Sequence, residues 1–327
     1  MSGISKIGVA ALAGLVSLLG VSAADALVAD VDTSYTQPSN TLVMPFDVTD
    51  GNASFMVVSN TAGTSPDGMY EILAVTTHWT WWSESCDQLA DAWICLTLND
   101  TVVVDPRNIG NVDQANMQVA DGANLSGDRG MVVVTAYATD HLCAGGAARD
   151  YEMVDNAIVG TYTFADTAVE FSYGNDAIGL GLSDQGVPQL PTGIVNQLDV
   201  QTFNPSTVDN STVVFLSLSE MGGMGATEME IGPNSSTVNG ALTMYDTEEV
   251  GLSLPDYGVQ CASFASMKPG GGLVPSQAIN SSGFLRVKYS AGTIGGGTGN
   301  FVYGVHGQSV GQYGGSSNFK YTVSLLP

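Results

Sequence analysis

Few residues in this chain have types and spacing suited to chemistry. The most distinctive segment is Val75-Thr-Thr-His-Trp-Thr-Trp-Trp82. Side chains alternate along a β-strand. Val75, Thr77, Trp79 and Trp81 would therefore share one face, and His78, Thr80 and Trp82 the other. One use of such a strand is an aromatic platform that stacks on sugar rings, with Trp79, Trp81, Trp82 and Trp93 as the carbohydrate contacts. The other use is structural. Aromatic side chains dominate burial energy, so Trp79 and Trp81 would fill a core and leave Trp82 and Trp93 for exposed contacts.

A nucleophile is harder to find. Gly307-Gln-Ser309-Val-Gly311 has the G-x-S-x-G pattern of a hydrolase elbow. An elbow needs a helix behind the serine and an acid and base to follow. Here a Gly-rich stretch follows, and no His lies beyond Ser309. The three His residues, His78, His141 and His306, are far apart and form no His-x-His or His-x-x-x-His pair. Zinc needs several such ligands placed together, so a hydrogen-bonded His on a strand is the expected role. The Gly runs Gly270–Gly272 and Gly295–Gly297 lack the spacing of a phosphate-binding loop. No catalytic residue is assigned. A secreted hydrolase would need a site converging from distant strands.

The chain contains 23 Asp and 9 Glu, and many of the Asp residues sit in turns. Short carboxylates and amides at turns suit a hard cation, which makes Asp47, Asp50, Asn52, Asp121, Asn124 and Asp128 candidate ligands for a structural calcium. The same residues also form ordinary Asx turns without any ion. Six Asn-x-Ser/Thr triplets, at Asn52, Asn99, Asn124, Asn210, Asn234 and Asn280, mark surface turns.

The first residues, MSGISKIGVAALAGLVSLLGVSAADA, place Lys6 ahead of an apolar run that ends in small-x-small exits. This layout predicts a signal peptide over residues 1–26, and no other stretch is long enough to span a membrane. All four cysteines, Cys86, Cys95, Cys143 and Cys261, lie beyond it, and an even count in an exported chain predicts disulfides. The short excursion SCDQLADAWIC favours a Cys86–Cys95 bridge, which would leave Cys143 to pair with Cys261.

Positioning these residues is the work of strands. Segments such as Thr41–Val48, Ser54–Ser59, Tyr70–Trp82, Met131–Tyr137, Ala157–Phe164, Thr212–Leu218 and Phe301–His306 are rich in Val, Thr and aromatics and end at turn residues. Helical turns are expected only near Asp87–Ala92 and Val112–Val119. The pattern predicts an all-β protein, an antiparallel β-sandwich built as two tandem modules over residues 27–175 and 176–327. The competing layout is one large sandwich tied together by a long-range bridge. The terminal segment Phe319–Leu325 is a candidate edge for pairing with another chain.

Composition narrows the function. Eight Lys and Arg stand against 32 Asp and Glu, a formal charge of -24 over 327 residues. That balance excludes a phosphate-binding surface and therefore nucleic acid, and it disfavours an anionic membrane surface. The expectation is a secreted, cell-surface or periplasmic β-sandwich protein without enzymatic activity. Its role would be structural, adhesive or in assembly, with glycans or other surface proteins as candidate partners and self-assembly through edge strands. Carbohydrate binding through Trp79–Trp82 is the alternative.

Overall fold

The computed structural model describes residues 38–61, 63–64, 71–72, 74–111, 118–121, 124–139, 143, 153–166, 171–182, 190, 194–203, 211–222, 229–246, 250–266, 273, 283–289, 301–310, 313–318, 320–321 and 324–325. The expected signal-peptide segment 1–26, His141, the two Gly runs and the segment 112–117 lie outside these residues.

The first set of strands comprises β1 (Thr41–Asp47), β2 (Asn52–Asn60), β3 (Gly63–Thr64), β4 (Glu71–Ile72), β5 (Ala74–Ser83), β6 (Gln88–Thr97), β7 (Thr101–Val104), β8 (Gln118–Asp121), β9 (Arg129–Ala138), β10 (Ile158–Asp166), β11 (Phe171–Asp176) and β12 (Ile178–Leu180). The second set comprises β13 (Ile194–Phe203), β14 (Ser211–Gly222), β15 (Met229–Pro233), β16 (Val238–Asp246), β17 (Gly251–Val259), β18 (Ala262–Ser266), β19 (Gly283–Tyr289), β20 (Phe301–Val310), β21 (Tyr313–Asn318), β22 (Lys320–Tyr321) and β23 (Ser324–Leu325). A short 3-10 segment, Pro106–Asn111, follows β7. No α-helix occurs among the described residues, and the protein is all-β, antiparallel and sandwich-like.

In the first set a six-stranded sheet, β12-β1-β9-β5-β6-β8, packs on a four-stranded sheet, β11-β10-β2-β7. The sheets meet closely where β10 crosses β1. A Cβ on Gly160 would come within 2.8 Å of Leu42 and 3.0 Å of the Val57 carbonyl, so any larger residue would force Leu42 to shift. The second set forms a sheet in the order β17-β16-β19-β13-β22, with β23 also on β13, and another in the order β15-β14-β20-β21. One edge of β14 is shared in tandem, with β18 on Thr212–Leu216 and β15 on Leu218–Gly222. The two partners meet at Ser217, whose N–H donates to the Cys261 carbonyl and whose carbonyl accepts from Asn234 N–H.

Strand pairing among the described residues stays within each set. The first set runs on to Leu180, because β12 pairs with β1, and the expected boundary at 175/176 falls inside β11. The apolar core does not respect this division. Val214, Leu216, Leu218, Ile231, Cys261 and Ala262 of the second set belong to the same buried cluster as Val43, Met131 and Val133 of the first.

Two expectations are corrected. Residues 87–92 form no helical turn. They lead into and lie on β6, which pairs with β5 from Ala74↔Thr97 to Trp82↔Gln88. Ladder bonds and burial of Ala90 and Ala92 override the weak helical preference of the segment. The disulfide pairing is also different, being Cys86–Cys261 and Cys95–Cys143, with Cα–Cα distances of 5.5 and 5.6 Å. The reason is the hairpin. Cys86 lies in its turn while Cys95 lies opposite Thr76, far up β6. At ~3.3 Å per residue the two are roughly 20 Å or more apart, beyond the reach of a bridge.

Candidate functional site

Both faces of β5 are buried, and they differ in kind. Trp79 and Trp81 are fully buried beside Ala90, Ala92, Val132 and Val134, their register neighbours on β6 and β9. They stack with centroids 5.7 Å apart, and Trp79 Nε1 donates to Thr77 Oγ1 at 2.8 Å. This is the structural role. An aromatic platform would need these rings at the surface.

The opposite face carries His78, which is only 4% exposed. Register places Trp93 of β6 and Thr135 of β9 directly beside it, with Asp91 and Tyr137 two residues further along the same face. The imidazole lies flat on Trp93, centroids 4.0 Å apart and planes at 9°. Its Nε2 lies 3.2 Å from Asp91 Oδ2 and its Nδ1 lies 2.9 Å from Glu230 Oε1. Glu230 comes from β15 in the second set, and Tyr137 Oη donates to the same carboxylate oxygen. Trp93 is therefore not an exposed contact residue, and Trp82 is half-buried.

The electrostatics follow from this enclosure. Burial is the strongest influence on His78 and favours the neutral ring. The hydrogen bonds to Asp91 and Glu230, together with their negative charges, outweigh it and raise the pKa to about 9. His78 is thus an imidazolium at neutral pH. For Glu230 burial is again the largest influence and pushes upward, while the His78 hydrogen bond and charge and the Tyr137 hydrogen bond hold the carboxyl below its ordinary value.

This group sits on a longer seam between the two strand sets. At the β5–β6 turn, Cys86 is bonded to Cys261, and both sulfurs face the Asn234 carbonyl, at 3.9 and 3.6 Å. Glu84 in the same turn accepts from Phe264 N–H at 3.2 Å and from Arg129, whose guanidinium lies 5.1 Å from the centre of the Phe264 ring. Cys86, Cys143 and Cys261 all have left-handed backbones, with φ of 71, 62 and 49°. Such positions are costly for non-glycine residues and persist when surrounding bonds over-determine them.

The chemistry open to this arrangement is limited. An imidazolium donating from both nitrogens has no lone pair with which to take a proton. Its two nitrogens point to opposite sides of the ring, so they cannot converge with both carboxylates on one ion. No group of three His, Cys, Asp or Glu among the described residues is placed to hold a metal. What the group does is join β5, β6 and β9 to β15.

The other sequence candidates are placed as follows. Ser309 lies inside β20, opposite Gly314 of β21, so the G-x-S-x-G match is a strand and not an elbow. Two of the acidic turns do come together, since Gly127 N–H donates to the Val48 carbonyl and Val48 N–H to that of Asp128. Their side chains serve the turns themselves. Asp47 Oδ1 accepts from Thr49 N–H and Oγ1 at 2.9 and 2.6 Å, and Asn124 Oδ1 accepts from Ser126 N–H at 2.8 Å. Asp50 is an exposed turn residue with φ of 46°, Asn52 opens β2, and Asp121 pairs in register with Asp91. Sequence reasoning missed Asp91, Tyr137 and Glu230. The hairpin register alone could have put Asp91 and Trp93 beside His78, but nothing local pointed to Glu230.

No family model and no curated protein matches the chain. Among solved structures, a protein of Parabacteroides distasonis named as secreted aligns over 80% of this chain and 81% of its own, at 9% identity and a TM-score of 0.17. A viral chemokine binding protein, R17 of rodent gammaherpesvirus Peru, aligns over 88% and 86%, at 10% identity and a TM-score of 0.17. Overlap at that level carries neither fold nor function from those proteins to this one. The two disulfides do carry weight, because such bridges form and persist in oxidising compartments, and they point to a location outside the cytosol.

Proposed function

We propose that this chain is an exported, non-enzymatic β-sandwich protein of a microbial cell surface or secreted matrix, with a structural, adhesive or assembly role. The observation that carries this reading is the seam. The buried His78, the residue best suited to acid–base work, is fully engaged in joining two strand sets, and a long-range disulfide closes the same junction. Supporting features are the leader-like first residues and the charge of -24, which keeps an exported chain soluble. The carbohydrate reading loses its platform with Trp79 and Trp81 in the core.

The test is localisation followed by assembly. The intact chain is expressed without an added leader, cells are fractionated, and intact cells are labelled with antibody. Purified material is then sized by light scattering and applied to a glycan array. The expected result is surface or medium localisation, oxidised cysteines and no array binding. Retention in the cytosol with free thiols would overturn the reading. So would turnover of an ester or glycoside that His78→Gln abolishes.

A further inference from the structure

The Asn-x-Ser/Thr triplets are alike in sequence, but the fold presents them very differently. Asn99 is exposed in the β6–β7 turn, with φ of 62°. The turn is anchored by its backbone, Asn99 N–H donating to the Asn60 carbonyl and Asp100 N–H to that of Thr97. Its third member, Thr101, is exposed and shares a 2.7 Å hydrogen bond with Ser59 Oγ. The Asn99 side chain makes no hydrogen bond among the described residues, so its Nδ2 faces water. Asn124 and Ser126 are likewise exposed, while Leu125 between them is 2% exposed and tied to the Pro106 carbonyl. The Asx turn from Asn124 Oδ1 to Ser126 N–H holds the amide, and leaves Nδ2 without an acceptor among the described residues.

The other described triplets are closed. Asn234 is 4% exposed. Its Nδ2 is enclosed, its Oδ1 accepts from Ser236 N–H, and its carbonyl lies against both sulfurs of Cys86–Cys261. A sugar on that nitrogen would have to displace the seam. Asn52 is half-buried, and the hydroxyl of its Ser54, 1% exposed, donates to the Asp47 carbonyl and accepts from Asp47 N–H.

We infer that Asn99 and Asn124 are N-glycan acceptor sites of the exported protein, and that Asn234 is never one. The donor class is a lipid-linked diphospho-oligosaccharide. The Asn Nδ2 attacks the anomeric carbon and a C–N bond forms. The C–O bond to the diphosphate breaks, the lipid diphosphate leaves, and the amide proton passes to a base of the transferase. This inference rests on the export reading, and one experiment separates the two.

The intact chain is expressed in a host that glycosylates exported proteins, once as it stands and once with the host's own leader fused ahead of it. Export of the unfused chain tests the export reading alone. Occupancy is read on the leader-fused protein by enzymatic deglycosylation in heavy-oxygen water and peptide mass spectrometry. Asn99 and Asn124 are expected to be occupied, Asn52 sparsely and Asn234 not at all. Asn99→Asp and Asn124→Asp should each remove one glycan, Asp keeping the left-handed backbone at 99 and the Asx turn at 124. An exported, folded protein bare at Asn99 and Asn124, or glycosylated at Asn234, overturns the inference.

Discussion

The two faces of β5 are both covered, but by different means. One face packs Trp79 and Trp81 into an apolar interior, where contact energy is non-directional and tolerant of rearrangement. The other face holds His78 between Asp91 and Glu230 against Trp93, where each interaction depends on position and protonation. The apolar face builds the first sandwich. The polar face ties the second strand set to it through Glu230, where loss of one partner would leave an uncompensated buried charge. A sheet covered on both sides can therefore separate the two tasks, stability on one face and orientation on the other.

The comparison can be broken at four points. The largest effect is expected at the seam's covalent tie. Closing a loop with a sequence separation of 175 is worth up to ~5 kcal/mol in the chain-entropy model, against ~4 kcal/mol for the Cys95–Cys143 loop. The Cys86→Ser/Cys261→Ser double variant should lose more stability in equilibrium denaturation than Cys95→Ser/Cys143→Ser. Thiol titration of denatured, unreduced wild-type protein should find no free thiol. An equal loss in the two variants would deny the seam its special place.

Trp79→Ala should come next, costing about 4 kcal/mol through lost burial and a cavity, whatever the pH. The polar face should instead respond to pH. His78 has a folded pKa of about 9, above its unfolded value of about 6.5. Its contribution is fully present below the unfolded value and is lost as pH rises through about 9. The loss should amount to roughly 3 kcal/mol. Glu230, with its pKa lowered, contributes above the unfolded carboxylate value and loses that contribution as pH falls through the folded one. Denaturant midpoints measured across pH should thus fall on both flanks, and His78→Gln should flatten the alkaline flank and shrink the acid one, because the His78 hydrogen bond and charge also hold Glu230 low. The smallest effect is expected for Glu230→Gln, about 2 kcal/mol, because Asp91 still pairs the imidazolium. A double-mutant cycle with His78→Gln should show coupling between the two residues, whereas one pairing Glu230→Gln with Trp79→Ala should be additive.

Legibility followed the range of each interaction. The Trp79 and Trp81 assignment could be read from alternation within eight residues, and most strands from Val, Thr and aromatic runs between turns. β6 was misread because Asp-Gln-Leu-Ala carries a local helical preference that pairing with β5 overrides. β17, with its exposed Leu252, its internal Pro255 and a register shift against β16, has little of the alternation that marks a strand. The cysteine pairing was misread because nearness in sequence was taken for nearness in space.

The sequence by itself determined the all-strand architecture, the placing of Trp79 and Trp81 on one face of β5 and the oxidised state of the cysteines. Each follows from residue type and a period of two, which act within a strand. Only the tertiary structure decided that His78 meets Glu230, 152 residues away, and that Cys86 meets Cys261. Those contacts depend on how one set of sheets lies on another, and that docking is the sum of many weak burials that no local segment encodes.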